Sequence, residues 1–307
     1  MTRKESPGRP SVTAPHARSA FWNPDGPWFR AIAHRGASSG NSFLLQAGPT
    51  LLAPWFWALR PVERRGVASN LNRIQGPRRW PQQWRDEIAT FTAFGRSLVE
   101  GIAAFGSRAD DVQVDVENEA VLFDLVRRQR GCIFVTAHTS GLEIAASALG
   151  RLLGLPVLMA MRAEADPHAR RISDEARLAG GLRVVHVGDD PLAVLPLVHH
   201  LRRGGAVGLQ MDRVPPTVRS LAIPLFGSLV PFPLGPFFLA RATGAPLVAL
   251  FTRRTGFLRV RIQVTNPTLV APRTGPREWL PLATQIVASL ESWVRQEPTE
   301  WLDWGRL

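Results

Sequence analysis

The sequence has no tyrosine, one cysteine (Cys132) and one lysine (Lys4). A lone cysteine excludes a disulfide framework and removes the ligands a thiolate zinc site needs, so the cytoplasm is the natural compartment. The opening MTRKESPGRPSVTAPHARSA lacks the apolar run of a secretory signal. Acidic residues are few, 25 against 37 basic ones, which leaves a formal net charge of +12 carried almost wholly by arginine. A GC-rich coding sequence accounts for much of that bias. The charge still favours anionic partners such as acidic lipids, phosphates or an acidic carrier protein. No stretch interleaves basic and aromatic residues as nucleic-acid readers do, so a nucleic-acid partner is disfavoured.

What is present is a chain of 307 residues, 45% hydrophobic, enough for a sizeable core. Residues 1–28, rich in Pro, Ser and Arg, read as disordered. Residues 29–105 read as a helical membrane-associating region and 106–307 as a second domain. SFLLQAGPTLLAPWFWAL, residues 42–59, carries no charge but contains Gly48, Pro49 and Pro54. It reads as a broken hairpin lying in one leaflet, with a buried core segment and a true span as the other readings. Trp28, Phe29, Trp55 and Trp57 with Arg60, Arg64 and Arg65 make an aromatic and basic edge suited to anionic lipid; a packing patch is the plainer alternative.

From Trp80 to Phe105 apolar residues recur at helical spacing, and a second helix follows over Glu119–Arg130. Strand-like runs at 132–137, 155–161, 182–187, 206–211, 246–252 and 257–264 then alternate with helical stretches at 142–154, 167–180 and 191–203, before a closing helix at 276–297. The alternation predicts an α/β fold: a mixed sheet flanked by helices.

The run CIFVTA ends at His138, the place where open α/β sheets bind ligands. Ser140 and Glu143 fit an S-x-x-E capping box, which explains the glutamate without any chemistry. Alternatively, with His138 in the turn and Glu143 in the first helical turn, the carboxylate fixes the imidazole tautomer. That is the base-plus-orienter part of a triad without its serine. Spacing leaves both readings open.

The stretch HTSGLE resembles the H-x4-E/D motif of the membrane-associated glycerolipid acyltransferase superfamily. VLMAMRAEADP, LRRGGAVGLQMDR, LAIPLFGSLVPFPLGPFFLARATGAPLVALFTRR, the upstream RRGVASNLNRI and the ending WLDWGRL are similar, in that order, to blocks of the bacterial lipid A (lauroyl/myristoyl-type) acyltransferases. Against that pattern, MDRVPPT carries a single acid and the first apolar segment is interrupted by prolines.

The resemblance implies fatty acyl transfer from a thioester of acyl carrier protein or coenzyme A to a hydroxyl of a lipid or glycolipid, at the cytoplasmic face of the inner membrane. It implies His138 as general base and Glu143 as its orienter. Arg162 would bind acceptor phosphate or donor phosphopantetheine, Asp212 would position the acceptor or an arginine, and Arg213 would meet an anionic headgroup. Backbone N–H groups of Thr139, Ser140 and Gly141 are candidate oxyanion donors. No cofactor, no metal and no covalent enzyme intermediate are expected. Cys132 lies inside a strand, where burial disfavours its thiolate, and Ser140 lacks a G-x-S-x-G elbow. His199 and His200 read as surface residues of a basic helix, and His168 and His186 have no partners at metal-ligand spacing. The acceptor implied is a lipid A precursor; a lysophospholipid, an ornithine-type lipid or a secondary-metabolite hydroxyl stays open. Two other classes fit the same sequence: a non-catalytic lipid-binding protein on this fold, and a hydrolase using the same base on water.

Overall fold

The computed structural model describes residues 41–106, 108–162, 167–188, 191–215 and 218–305. The stretch 1–28 expected to be disordered, Trp28, Phe29 and the side chain of His168 lie outside them.

Among the described residues three helices come first: α1 (Ser42–Leu59), α2 (Pro61–Gln75) and α3 (Trp80–Phe105). Strands and helices then alternate. They run β1 (Gln113–Glu117), α4 (Glu119–Arg127), β2 (Cys132–Thr136), α5 (Leu142–Leu153), β3 (Val157–Met161), α6 (Pro167–Ala179), β4 (Arg183–His186), α7 (Leu195–Arg202) and β5 (Ala206–Gln210). A hairpin of β6 (Ser220–Leu225) and β7 (Ser228–Pro233) precedes α8 (Gly235–Thr243), β8 (Leu247–Gly256), β9 (Arg259–Val264) and α9 (Pro276–Gln296).

Seven strands form one sheet in the order β1-β9-β8-β2-β5-β3-β4, and every neighbouring pair is parallel except β8 and β9. The mixed, helix-flanked sheet read from the sequence is therefore present. β2 lies at its centre, and all five of its residues are buried, as an apolar strand covered on both faces must be. Alternate side chains enter opposite cores. Ile133 and Val135 pack with Leu201 of α7, Phe237 of α8 and Trp293 of α9. Cys132 and Phe134 pack with Phe105 of α3, Leu122 of α4 and Ile144 of α5.

Residues 42–59 form one continuous helix, not a broken hairpin. Asn41 Oδ1 caps it, accepting from the N–H of Phe43 at 3.0 Å and Leu44 at 3.3 Å. Pro49 removes a helical N–H, but it sits on the buried stripe Leu45, Pro49, Ala53, where its ring packs closely on Gly95 of α3. Burial against α3 offsets the lost bond. The other face of α1 exposes Phe43, Leu44, Leu51, Leu52, Trp55 and Leu59.

The helical period over Trp80–Phe105 matches α3, but its apolar residues divide between core and surface, with Phe91 and Phe105 buried. Trp80 is 67% and Trp84 48% exposed, whereas Glu87 and Glu100 are buried. Glu87 accepts from Trp57 Nε1 at 2.6 Å and Gln83 Nε2 at 3.0 Å. Glu100 receives Arg254 Nε at 2.7 Å and the Leu258 N–H at 3.0 Å. By length and composition α3 is the one helix among the described residues apolar enough to cross a membrane, and half of its most apolar window is buried within the protein. The two strands of the β6–β7 hairpin are absent from the sequence reading, although its turn falls within the family-like block LAIPLFGSLVPF. Its turn puts Phe226 and Gly227 at φ 47° and 76°, a geometry usually announced by Asn-Gly rather than Phe-Gly.

Candidate active site

His138 follows β2 at the carboxyl end of the sheet, where β5 runs beside it in parallel and ends two residues before Asp212. That adjacency sets the geometry. His138 Nδ1 lies 2.7 Å from Asp212 Oδ1, and the His138 backbone N–H donates to Asp212 Oδ2 at 2.8 Å. Trp301 Nε1 donates to the same Oδ2 at 2.9 Å. Asp212 is 1% exposed and the imidazole 25%. Burial pushes the Asp212 carboxyl up, but the charge of His138 and the hydrogen bonds from His138 and Trp301 outweigh it and hold the pKa at about 2. A carboxylate kept ionised against Nδ1 places the ring proton there and turns Nε2 outward as an acceptor.

The C-terminal segment completes the site. Thr139 and Trp301 form an antiparallel bridge, Leu302 N donates to His138 O at 2.7 Å, and Ser140 N donates to Glu300 O at 2.9 Å. Asn70 of α2 fastens the segment through the carbonyls of Asp303 and Gly305 at 3.0 and 2.8 Å. Trp304 packs on Phe91 and Phe94 of α3. The hydroxyls of Thr139 and Thr252 lie 2.8 Å apart, and Thr252 Oγ1 donates to Ser140 O at 2.9 Å. The loop bearing His138 is thus held from two sides.

Several expectations change here. Glu143 does not take the His138 nitrogen. Its carboxylate pairs with Arg177 Nη2 of α6 at 2.9 Å, and the imidazole is already engaged by Asp212. The capping box does not form either. Gly141, at φ 75°, is the residue before α5, and Ser140 Oγ turns instead to the Glu300 carboxylate and accepts from Arg254 N. Ser140 and Gly141 are buried, which removes them from direct contact with a substrate. The three backbone donors suggested for an oxyanion are spoken for: Thr139 N by Ala137 O, Ser140 N by Glu300 O, and Gly141 N by Ser97 Oγ at 3.2 Å.

Arg162 is exposed beyond β3, on the same edge of the sheet as His138. Arg213 is engaged by the C-terminal segment, through Asp303 Oδ1 at 3.3 Å and the Leu302 carbonyl. Burial, with the nearby charge of Asp212, raises the Asp303 carboxyl above its ordinary range. Burial pushes the Cys132 thiol up to about 12, which disqualifies it as an acyl carrier. His186 Nε2 lies 2.7 Å from Asp174 Oδ2. Among the described residues no group of three or more His, Cys, Asp or Glu is arranged to hold a metal ion. The sequence does not mark Trp301 and Glu300 as site residues, although the ending WLDWGRL resembles a family block; nothing in its local pattern says that it folds back onto β2.

An imidazole held by a buried carboxylate at a strand end is an arrangement chemically able to take a proton from a hydroxyl. The chain matches the bacterial lipid A biosynthesis acyltransferase family over residues 41–304 and belongs to that family; it is an acyltransferase of lipid biosynthesis. Among solved structures it is similar to the 1-acyl-sn-glycerophosphate (LPA) acyltransferase PlsC from Thermotoga maritima, at 15% identity and a TM-score of 0.39, over 81% of this chain and 96% of that one. No curated protein matches it.

Proposed function

We propose that the protein moves a fatty acyl chain from an acyl thioester, carried by acyl carrier protein or coenzyme A, to a hydroxyl of a lipid or glycolipid acceptor. His138 is the general base and Asp212 the group that orients it. The observation that carries the reading is the double grip of Asp212 on residue 138, through Nδ1 and the backbone N–H. Nε2 removes the acceptor proton as the hydroxyl oxygen attacks the thioester carbonyl carbon. The tetrahedral adduct collapses, the C–S bond breaks, and the proton passes from Nε2 to the departing thiolate. Such base catalysis contributes typically about 10²- to 10⁴-fold in rate. No step needs a covalent enzyme intermediate.

The family description makes a lipid A precursor the first acceptor to test. The apolar face of α1, with Trp55 69% exposed and Arg64 over the Trp57 ring, suits contact with an anionic bilayer, as work at the cytoplasmic face of the inner membrane requires. The test is lipid mass spectrometry of producing cells with the wild-type gene, without it, and with His138→Ala. The expected result is one lipid class missing one acyl chain in the last two strains, with the variant protein folded. An unchanged lipid profile overturns the proposal.

A further inference from the structure

A cleft of about 290 Å³ opens beside the loop that carries His138. Arg85, Ile88, Thr92 and Arg96, all on one face of α3, line it together with Arg254 of β8 and Glu300. Glu300 joins the cleft to the site, because its carbonyl receives the Ser140 N–H two residues after His138.

The charges in the cleft do not balance. Arg254 is matched by the buried carboxylate of Glu100 at 2.7 Å, and the neighbouring Arg253 by Glu297. Arg85 and Arg96 form no ion pair with a carboxylate among the described residues, although Glu100 and Glu300 lie near enough to Arg96 to feel its charge. Arg96 Nη2 donates to Thr50 Oγ1 at 3.0 Å, while its Nε is buried with no hydrogen-bond partner. A buried, unmet donor on a charged group is costly, and native proteins carry few of them without a ligand or a functional reason. The one acid of the cleft itself, Glu300, is occupied by the Ser140 hydroxyl, and burial raises its carboxyl above the ordinary range. Two guanidinium groups therefore flank the small residues Ala89, Thr92 and Ala93, neither of them in an ion pair. Their Cα atoms are about 16 Å apart along the helix, so the side chains close on the cleft from opposite ends. Planar guanidinium forks match phosphate oxygens better than any other common anion-binding side chain does.

We propose that this cleft binds the phosphate ester of a reactant, with Arg85 and Arg96 as its ligands. The proposal rests on the acyltransferase reading. Two reactants carry that chemistry: the phosphopantetheine arm of the thioester donor, and a phosphorylated headgroup of the acceptor.

The experiment titrates the full chain by calorimetry with two matched pairs of probes. One pair is 4′-phosphopantetheine and pantetheine; the other is dihexanoyl phosphatidic acid and dihexanoylglycerol. One phosphorylated probe is expected to bind about tenfold tighter than its counterpart, and Arg85→Gln and Arg96→Gln are each expected to remove about that preference. The pair that shows the effect names the source. No preference in either pair, or a preference that survives both substitutions in folded protein, overturns the proposal. Should Arg96→Gln fail to fold, Arg85→Gln decides alone, since Arg85 is exposed. His138→Ala is expected to keep the phosphate preference while losing transfer. Wild-type protein that binds phosphate but transfers no acyl chain would sink the acyltransfer mechanism and leave the cleft standing.

Discussion

Asp212 binds residue 138 twice, by the imidazole Nδ1 at 2.7 Å and by the backbone N–H at 2.8 Å, across 74 positions of sequence. One carboxylate thus fixes both the ring and the chain that presents it.

Asp212→Asn leaves the size of the side chain unchanged but removes the charge that settles the tautomer. Turnover is expected to fall by roughly 10³-fold or more, with circular dichroism unchanged. Glu143→Gln is expected to cost about tenfold at most in turnover and about 1 kcal/mol in stability, because it loosens a partly exposed pair with Arg177. Steady-state kinetics on both variants separate the two acids. Equal losses would return Glu143 to the role of orienter.

Trp301→Phe removes the indole N–H from Asp212 Oδ2 and keeps most of the apolar contact. A single hydrogen bond to a charged group is worth about 1.5–3 kcal/mol. The expected result is a fall in kcat of about tenfold with an unchanged donor KM, and an acid limb of the pH–rate profile moved upward as Asp212 loses a donor. A purely structural role for Trp301 would leave that limb where it is.

Glu300 carries a pH dependence of its own. Burial raises its carboxyl above the ordinary 4.5, against the hydrogen bond from Ser140. The folded state therefore holds its proton more tightly than the unfolded chain. That contribution is fully present below about pH 4.5 and is lost as the pH rises through the folded value. Glu300→Gln lacks the loss. The Tm of the variant relative to wild type is expected to climb from pH 4 to pH 8, and a difference that falls or stays flat contradicts this.

Gly141 has φ 75°, and a Cβ there would lie 2.8 Å from Val260 Cγ2. Gly141→Ala is expected to destabilise by about 1–3 kcal/mol, from strain and overpacking together. A shift in the urea midpoint with an unchanged m-value reports it. A variant as stable as wild type would mean that the loop around His138 yields more easily than its hydrogen bonds suggest.

Leu51, Leu52 and Trp55 lie on the outward face of α1. Changing all three to Glu is expected to abolish co-sedimentation with vesicles containing anionic lipid while leaving the melting curve intact. Vesicle binding that survives the change would remove α1 as the membrane contact.

The sequence by itself determined what repeats or lies close in the chain. The apolar run CIFVTA just before His138 announced a buried strand, the 3.6-residue period announced α3, and the ordered blocks from RRGVASNLNRI to WLDWGRL announced the family. Tertiary structure alone decided which acid holds His138, which face of α3 is buried, and that the prolines of α1 are carried within one helix. The reason is physical. The nearness of β2 and β5 is created by a crossover, and the contacts that join Asp212, Trp301 and Asn70 to the site have no period to betray them. Glu143 stands five residues from His138 and still meets Arg177 instead, because Gly141 turns the chain between them and α6 brings in a cation that no local pattern records.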